Sequence, residues 1–530
     1  MSAKLYKTAK DLETKEWDVI VIGSGMGGLT TAAALSRRGY KCLVIEQHYV
    51  PGGFTHTFTR KGFEWDVGVH AVGDADPRSQ VGGMFDYISE GRLKWEYFGD
   101  VYETFRFPDD KKYVFPSKKG AFRKAIENYF PEEKTAIQKY FKLVDSVMKQ
   151  MPLYYAMKTM PAPIMRMGNA LGLGARKWRK ITTQEVMDNL GMSEACRALL
   201  LAQWGYYGEI PRDSSFAIQA LIVKHFERGA YFPIGGAAAI AREVIETIRK
   251  AGGDVVVRSP VEELVFEGKR VVGVRASHAA DRSARYEFRA KYIFSATSAL
   301  TLVNKLLPPE LQKSEWAKEI SSFHQSPPHV CLYLGFQGDV EKAGATKSSQ
   351  WVFKTLDMNK KYWDFKNPQE PVHVMFCSFP STKDPKHVAG PEMRHTGEVV
   401  TFVDYAEFSK WQDSRRGFRP EDYQKIKADI EARLLAEFKL AFPELGKLIV
   451  HHELSTPLST EFFDRSPQGA IYGLEHTPKR FLSNALRTRT PIPGLYLSAS
   501  DVSTGGVAGG LSGGFLAAAT LEPRLFKEMI

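Results

Sequence analysis

Gly23, Gly25 and Gly28 follow the apolar run 19–22 in G-x-G-x-x-G spacing, and Glu46 ends the next apolar run. Residues of these types in this order hold a dinucleotide. Gly23 permits the tight turn, Gly25 lets the backbone approach a pyrophosphate, and Gly28 lets a helix pack closely on its strand. Ser24, Met26 and Gly27 complete the turn, and the helix N-terminus supplies free N–H donors and positive partial charge. Glu46 stands about 20 residues past the glycines, where a carboxylate accepts from ribose hydroxyls. Gln47 follows it. A glycine triplet alone is weak; strand, glycines, helix, strand and terminal Glu together are strong.

Two further glycine turns extend the pattern. Pro51-Gly52-Gly53 comes soon after Glu46 and leads into Phe54, Thr55 and His56. Residues 494–521 read as a strand, an exposed Asp501, a glycine-rich turn and an apolar helix carrying Gly509, Gly510 and Leu511. A second helix N-terminus aimed at the same ligand suits an extended cofactor whose far half needs its own anchor. Asp501 there accepts from ligand hydroxyls, sits beside the pyrophosphate, or caps a helix.

The elements that position these residues are legible in outline. The run 19–22 is continuously apolar, as a buried parallel strand requires. Residues 29–38 have helical composition, Gly39 ends that helix, and 40–45 form the next strand. Downstream, 238–250 is an amphipathic helix, 254–258 begins a strand, and 269–276 and 286–294 are strand-like. Residues 421–442 form a helix with Ile426, Ile430, Leu434 and Phe438 at four-residue spacing, suited to packing on a sheet. The class is α/β with mixed sheets.

The arrangement resembles the phytoene desaturase-like FAD oxidoreductases, most closely the retinol saturase and carotenoid isomerase branch. The matching segments are VIGSGMGGLTTAAALSRRGYKCLVIEQHYVPGG and FTHTFTRKGFEWDVGVHAVG near the start. YYGEIPRDSSFAIQALIVKHFERGAYFPIGG, TPLSTEFFDRSPQGAIYGLE and the Asp501 segment match further on. The resemblance implies FAD as cofactor, with Val261 where the family holds adenine by backbone groups. It implies a discontinuous Rossmann-like FAD domain (15–90, 232–308 and 482–530) interleaved with a mixed-sheet and helical substrate domain (91–231 and 309–481). Related amine oxidases carry an arginine directly after the paired glycines. Here that position is Phe54, which counts against amine oxidation.

On this resemblance the expected reaction acts on carbon–carbon bonds of a hydrophobic lipid: isoprenoid, retinoid or fatty-acyl. Saturation comes first; polyene desaturation or cis–trans isomerisation is the alternative. A flavin-free prenyl-lipid escort protein is the non-enzymatic alternative. Saturation needs a proton donor, and His56, His70, Tyr206 and Tyr207 are the candidates. A second G-x-G-x-x-G unit is absent, so electrons come from transiently bound NAD(P)H, a partner protein or a quinone. No carboxylate spacing supports metal ligation at His451-His452, which reads as a strand-edge pair.

Composition excludes other classes. The chain has 530 residues, 43% hydrophobic and 25% charged, which rules out disordered or fibrous protein. Lys and Arg number 72 against 61 Asp and Glu, leaving +11, but the long cationic runs of nucleic-acid arms are missing. Cys42, Cys196, Cys331 and Cys377 are isolated thiols that fit a reducing compartment. Residues 1–17 are polar and lysine-rich, unlike a secretory signal, so the expected place is the cytoplasm, with attachment to a membrane from one side. The attaching segment is 148–180. It holds Met148, Met151, Met157, Met160, Met165, Met167, Leu153, Tyr154 and Tyr155 beside Arg166, Arg176, Lys177, Arg179 and Lys180. An apolar patch next to clustered cations suits an anionic lipid surface. A core helix pair with a solvated rim is the plainer reading. The sequence says nothing of oligomeric state.

Overall fold

The computed structural model describes residues 7–13, 15–108 and 111–529. The first six residues of the lysine-rich N-terminal stretch lie outside the described residues.

Two seven-stranded sheets carry the molecule. The first opens with strand β1 (Trp17–Ile22), the glycine turn, helix α1 (Met26–Ser36) and strand β2 (Cys42–Ile45). Its order is Asp254–Val256, β2, β1, Asp281–Ser295, Arg270–His278, Val261–Glu267, with Leu495–Leu497 also pairing Asp281–Ser295. β1 pairs in parallel with β2 and with Asp281–Ser295. Val19, Ile20, Val21 and Ile22 are all buried, each such side chain contributing roughly 1.5–3 kcal/mol. Three distant stretches of chain thus meet in one sheet.

Helix α1 begins at Met26, three residues earlier than the composition of 29–38 indicates, and its N-cap is Gly25. Helix propensity disfavours Gly27 and Gly28, but tertiary packing overrides it. A Cβ on Gly28 would stand 2.0 Å from the Gly23 carbonyl oxygen, and one on Gly27 would stand 2.3 Å from Ala499 Cα. The C-terminal helix Gly506–Ala519 crosses α1 at the same place, where a Cβ on Gly514 would lie 2.5 Å from the Gly27 oxygen. Two glycine faces therefore bring two helix N-termini side by side.

The second sheet has the order Ile449–Ser455, His329–Gln337, Arg394–Phe402, Val374–Ser378, Ser349–Phe353, Val101–Arg106, Lys112–Pro116. Helix Glu421–Ala441 packs on it through Tyr423, Ile430, Leu434 and Phe438. His451 and His452 lie on its edge strand; His451 stacks on Phe63, and His452 Nδ1 meets Glu431 Oε1 at 2.6 Å. A helical layer covers the other side, led by helix α2 (Lys134–Met157) and helix α3 (Ala162–Ala170). Among the described residues, no helix is long and apolar enough to cross a membrane.

The segment 148–180 divides in two. Met151, Tyr154, Met157 and Met165 are buried, whereas Leu153, Met160, Ile164, Met167, Leu171 and Leu173 are exposed. The cationic cluster needs one correction: Arg179 is 0% exposed. Its guanidinium donates to the carbonyls of Gly174 and Phe481 and to Asn169 Oδ1, and it lies over the Tyr154 ring. A run of cations in sequence does not reveal which one turns inward.

Candidate functional site

One cavity of about 2240 Å³ joins the two sheets. Its first half is lined by Gly23, Gly25, Met26, Gly27, Glu46, Gln47, Gly52, Gly53, Phe54, Thr55 and Val261. Asp501 and the turn Thr504–Gly510 close it. A Cβ on Gly25 would meet nothing within 4 Å, so this residue faces open space. Helices leave their first N–H groups unpaired, and here two helix N-termini, those of α1 and of Gly506–Ala519, border the same space.

Glu46 is fixed by its neighbours. Its Oε2 accepts from the Ser24 amide at 2.9 Å and the Ser24 hydroxyl at 2.6 Å, and its Oε1 accepts from the His48 amide at 2.7 Å. A carboxylate offers about four lone-pair sites, so positions remain for ligand hydroxyls. This half fits FAD: small residues at the phosphate turn, two helix N-termini, and an oriented carboxylate.

Four expected cofactor residues stand behind the cavity wall. Ser24 holds Glu46, Gly28 packs on Gly23, His56 Nδ1 meets the Gly53 oxygen, and Leu511 is buried in the core. Asp501 lines the cavity but is buried, not exposed as its glycine-rich surroundings indicated. Its Oδ2 accepts from the Ala299 amide at 2.7 Å and its Oδ1 from the Leu474 amide at 3.2 Å. It ties two distant segments together and caps the short helix Ala299–Thr301.

The structure separates the four candidate proton donors: His70, Tyr206 and Tyr207 line the cavity, and His56 stands behind its wall. His56 belongs with the Glu46 end. Its Nδ1 lies 2.6 Å from the Gly53 oxygen, its ring is 4.9 Å from that of His48, and Asp464 is 4.0 Å away. Burial pushes His56 down to about 4 and Asp464 up to about 7. Tyr207 is buried and donates to Gln219 Oε1 at 2.9 Å, within a network that also holds Tyr140. His70 and Tyr206 border the second half of the cavity with His329, Trp351, Phe376, Val400 and Phe402.

Behind them sits a charged cluster that sequence reading missed. Tyr206 donates to Glu103 Oε1 at 2.5 Å. Trp351 Nε1 donates to the same oxygen, and Gln203 Nε2 donates to Oε2 at 2.9 Å. His70 Nδ1 lies 3.0 Å from Glu398 Oε2, but off-line, so neither atom completes a hydrogen bond. Between the two carboxylates, Lys383 Nζ donates to the His70 carbonyl at 2.8 Å and to Ser378 Oγ at 2.7 Å.

The second sheet assembles this cluster. Glu398 pairs with Ser378 across one strand boundary, and Ser349 pairs with Glu103 across another. Ser349 and Ser378 are one step beyond the Gln350–Cys377 pair of the middle strands. One polar row therefore crosses four adjacent strands. Burial pushes Glu103 up to about 7, against its three side-chain donors, and Glu398 up to about 8, against Lys383. Burial pulls Lys383 down to about 7, against Glu398, Asp66 and Glu103. His70 falls to about 3, by burial first and Lys383 second. The available signal is one carboxylate within each strand, Glu103 in VYETFR and Glu398 in RHTGEVVTF. Lys383 gave none.

Fold and site together define a flavin-dependent oxidoreductase whose one cavity has a dinucleotide half and a second half walled by the other sheet. The chain belongs to the flavin containing amine oxidoreductase family, whose pattern matches residues 26–521. The human all-trans-retinol 13,14-reductase is 30% identical over 97% of this chain and 87% of its own length. A zebrafish protein described as an inactive all-trans-retinol 13,14-reductase is 31% identical over 96% of this chain and 86% of its own. Arabidopsis prolycopene isomerase, chloroplastic, is 24% identical over 92% and 80%. Among solved structures, putrescine oxidase superposes with a TM-score of 0.61 at 16% identity, covering 96% of this chain and 100% of that one. That likeness shows the fold alone.

Proposed function

We infer that the protein saturates a carbon–carbon double bond of a hydrophobic, retinoid-like lipid, with Tyr206 as proton donor. The observation that carries this is the Tyr206–Glu103 contact: a phenol on the wall of a chamber it shares with Trp351, Phe376, Phe402, His70 and His329, held by a buried carboxyl. FAD, when bound, supplies the two-electron chemistry. This chain supplies the rest. Phe376, Val400 and Phe402 exclude water, and Trp351 and Gln203 fix Glu103, which in turn orients the phenol. Phe54 occupies the position where related amine oxidases carry arginine, so amine oxidation is not part of this reading. Residues 15–90, 232–308 and 482–530 form the flavin unit in it, and 91–231 with 309–481 the substrate unit.

The test is anaerobic. Photoreduced enzyme is mixed with all-trans-retinol, and the product is weighed. Gain of two hydrogens supports saturation; return of unaltered lipid counts against it. Rearrangement without mass change supports the second reading, cis–trans isomerisation, which the likeness to prolycopene isomerase favours.

The substrate enters from a membrane surface in this reading. Met148, Met151, Pro152, Tyr155 and Ala156 line the cavity from α2, and the exposed Leu153, Ile164 and Met167 flank them on α2 and α3. Arg166, Lys177 and Lys180 are the exposed cations beside that apolar patch, and Arg176 is half-buried. Flotation with anionic liposomes tests it: co-migration supports docking, and protein left at the bottom overturns it.

A further inference from the structure

Tyr206 must regain its proton after each turnover, and Phe376, Val400 and Phe402 border the cavity beside it. Two hydrogen-bonding partners face its phenol. Glu103 accepts from it. The Ser349 side chain adjoins the phenol as well. Ser349 Oγ in turn accepts from Lys383 Nζ at 3.4 Å. Lys383, Ser349, Tyr206 and Glu103 therefore stand in sequence, with Lys383 donating to Ser349 at one end and Tyr206 donating to Glu103 at the other.

Lys383 is suited to be its head. It is 0% exposed, and it forms no ion pair within contact distance among the described residues. Its ammonium is held by a carbonyl and two hydroxyls. The charged and titratable groups facing it are Asp66, Glu103 and Glu398, with His70 at its backbone contact. Tyr102 adjoins Glu103, Cys331 and Tyr333 adjoin Glu398, and His329 adjoins His70. An ammonium in such surroundings gives up a proton readily near neutral pH.

We propose that Lys383 reloads Tyr206 through the Ser349 hydroxyl. This rests on the reading of Tyr206 as donor. In the reaction the Tyr206 O–H bond breaks as a C–H bond forms at one alkene carbon. The electron pair of that bond is the former π pair, released as the other alkene carbon accepts hydride from the two-electron reductant. In reloading, the tyrosinate takes the Ser349 proton while Ser349 takes one from Lys383. The neutral amine then recovers a proton from the buried carboxyls of Glu398 and Asp66 that face it, and these regain theirs from solvent after product leaves. Lys383 touches no substrate in this scheme; it is a positioning residue acting through Tyr206.

The experiment compares wild-type holoenzyme with Tyr206→Phe, Lys383→Met and Ser349→Ala from pH 6 to 9. All-trans-retinol is the probe and dithionite the reductant. Lys383→Met and Ser349→Ala should each slow steady-state turnover on the order of 100-fold while leaving the first turnover at the wild-type rate. Both should also lose the fall in rate that wild type shows above neutral pH. If both variants keep wild-type turnover and pH profile while Tyr206→Phe is inactive, the Lys383 assignment is wrong and the Tyr206 reading stands. If Tyr206→Phe turns over at the wild-type rate, that reading fails and reloading falls with it. Should Lys383→Met lose its flavin, Ser349→Ala, a small change at a neutral group, decides the question alone.

Discussion

The two halves of the cavity work by different means. Around β1, α1 and the C-terminal helix, backbone and small residues line the cavity, with Glu46 and Asp501 among them. Around the second sheet, long side chains from six separate segments converge on one buried row. Backbone recognition tolerates almost no added atoms but asks little of electrostatics. Side-chain recognition tolerates modest changes of shape but depends on where each proton sits. Each half should therefore fail in its own way when altered.

The largest effect is expected in the backbone half. Gly27→Val drives a side chain into Ala499, 2.3 Å from the added Cβ, and separates the two helix N-termini. The purified variant should lack the yellow flavin absorbance altogether. Full flavin content would break the comparison at its first term.

Next comes Tyr206→Phe. It removes one hydroxyl and no bulk, so flavin content should match wild type while saturation falls on the order of 100-fold. Loss of flavin instead would mean that the halves are not separable.

Charge reversal at Arg166, Lys177 and Lys180 should come third. Each cation near an anionic surface contributes about 1 kcal/mol, so liposome partitioning should drop at least tenfold. Turnover of detergent-dispersed retinol should hold. Arg179 is left untouched, because reversing it would bury a carboxylate among carbonyls.

The smallest effect is a pH trend in stability. Burial raises Glu398 to about 8, above its unfolded value, so the native state binds the extra proton. That contribution is fully present below the unfolded value and is lost as pH climbs through the folded one. Glu398→Gln keeps the neutral shape. Its melting temperature relative to wild type should rise by roughly a few degrees between pH 5 and 8. A flat difference would show that Glu398 carries no shifted proton.

Legibility in the sequence followed the same divide. The turn from Trp17 to Glu46 could be read because its parts are neighbours along the chain, and each glycine has a local reason. Even there the helix starts at Met26, since the packing of Gly27 on Ala499 comes from 472 residues away, a contact no window contains. The row Glu103, Ser349, Ser378, Glu398 exists only through strand register. His70 and Tyr206 stand out by residue type within segments that resemble the family; the groups that give them chemistry do not. Asp501 and Arg179 misled for one reason: a charged residue in a polar or basic stretch was read as exposed, while backbone donors and carbonyls had drawn it inside.

The most direct measurement is the mass of the lipid recovered after anaerobic mixing of photoreduced wild type, and of Tyr206→Phe, with all-trans-retinol. A product heavier by two hydrogens from wild type, and unaltered retinol from the variant, is the expected result. Retinol returned unaltered by both, or a heavier product from both at equal rates, would contradict saturation with Tyr206 as the proton donor.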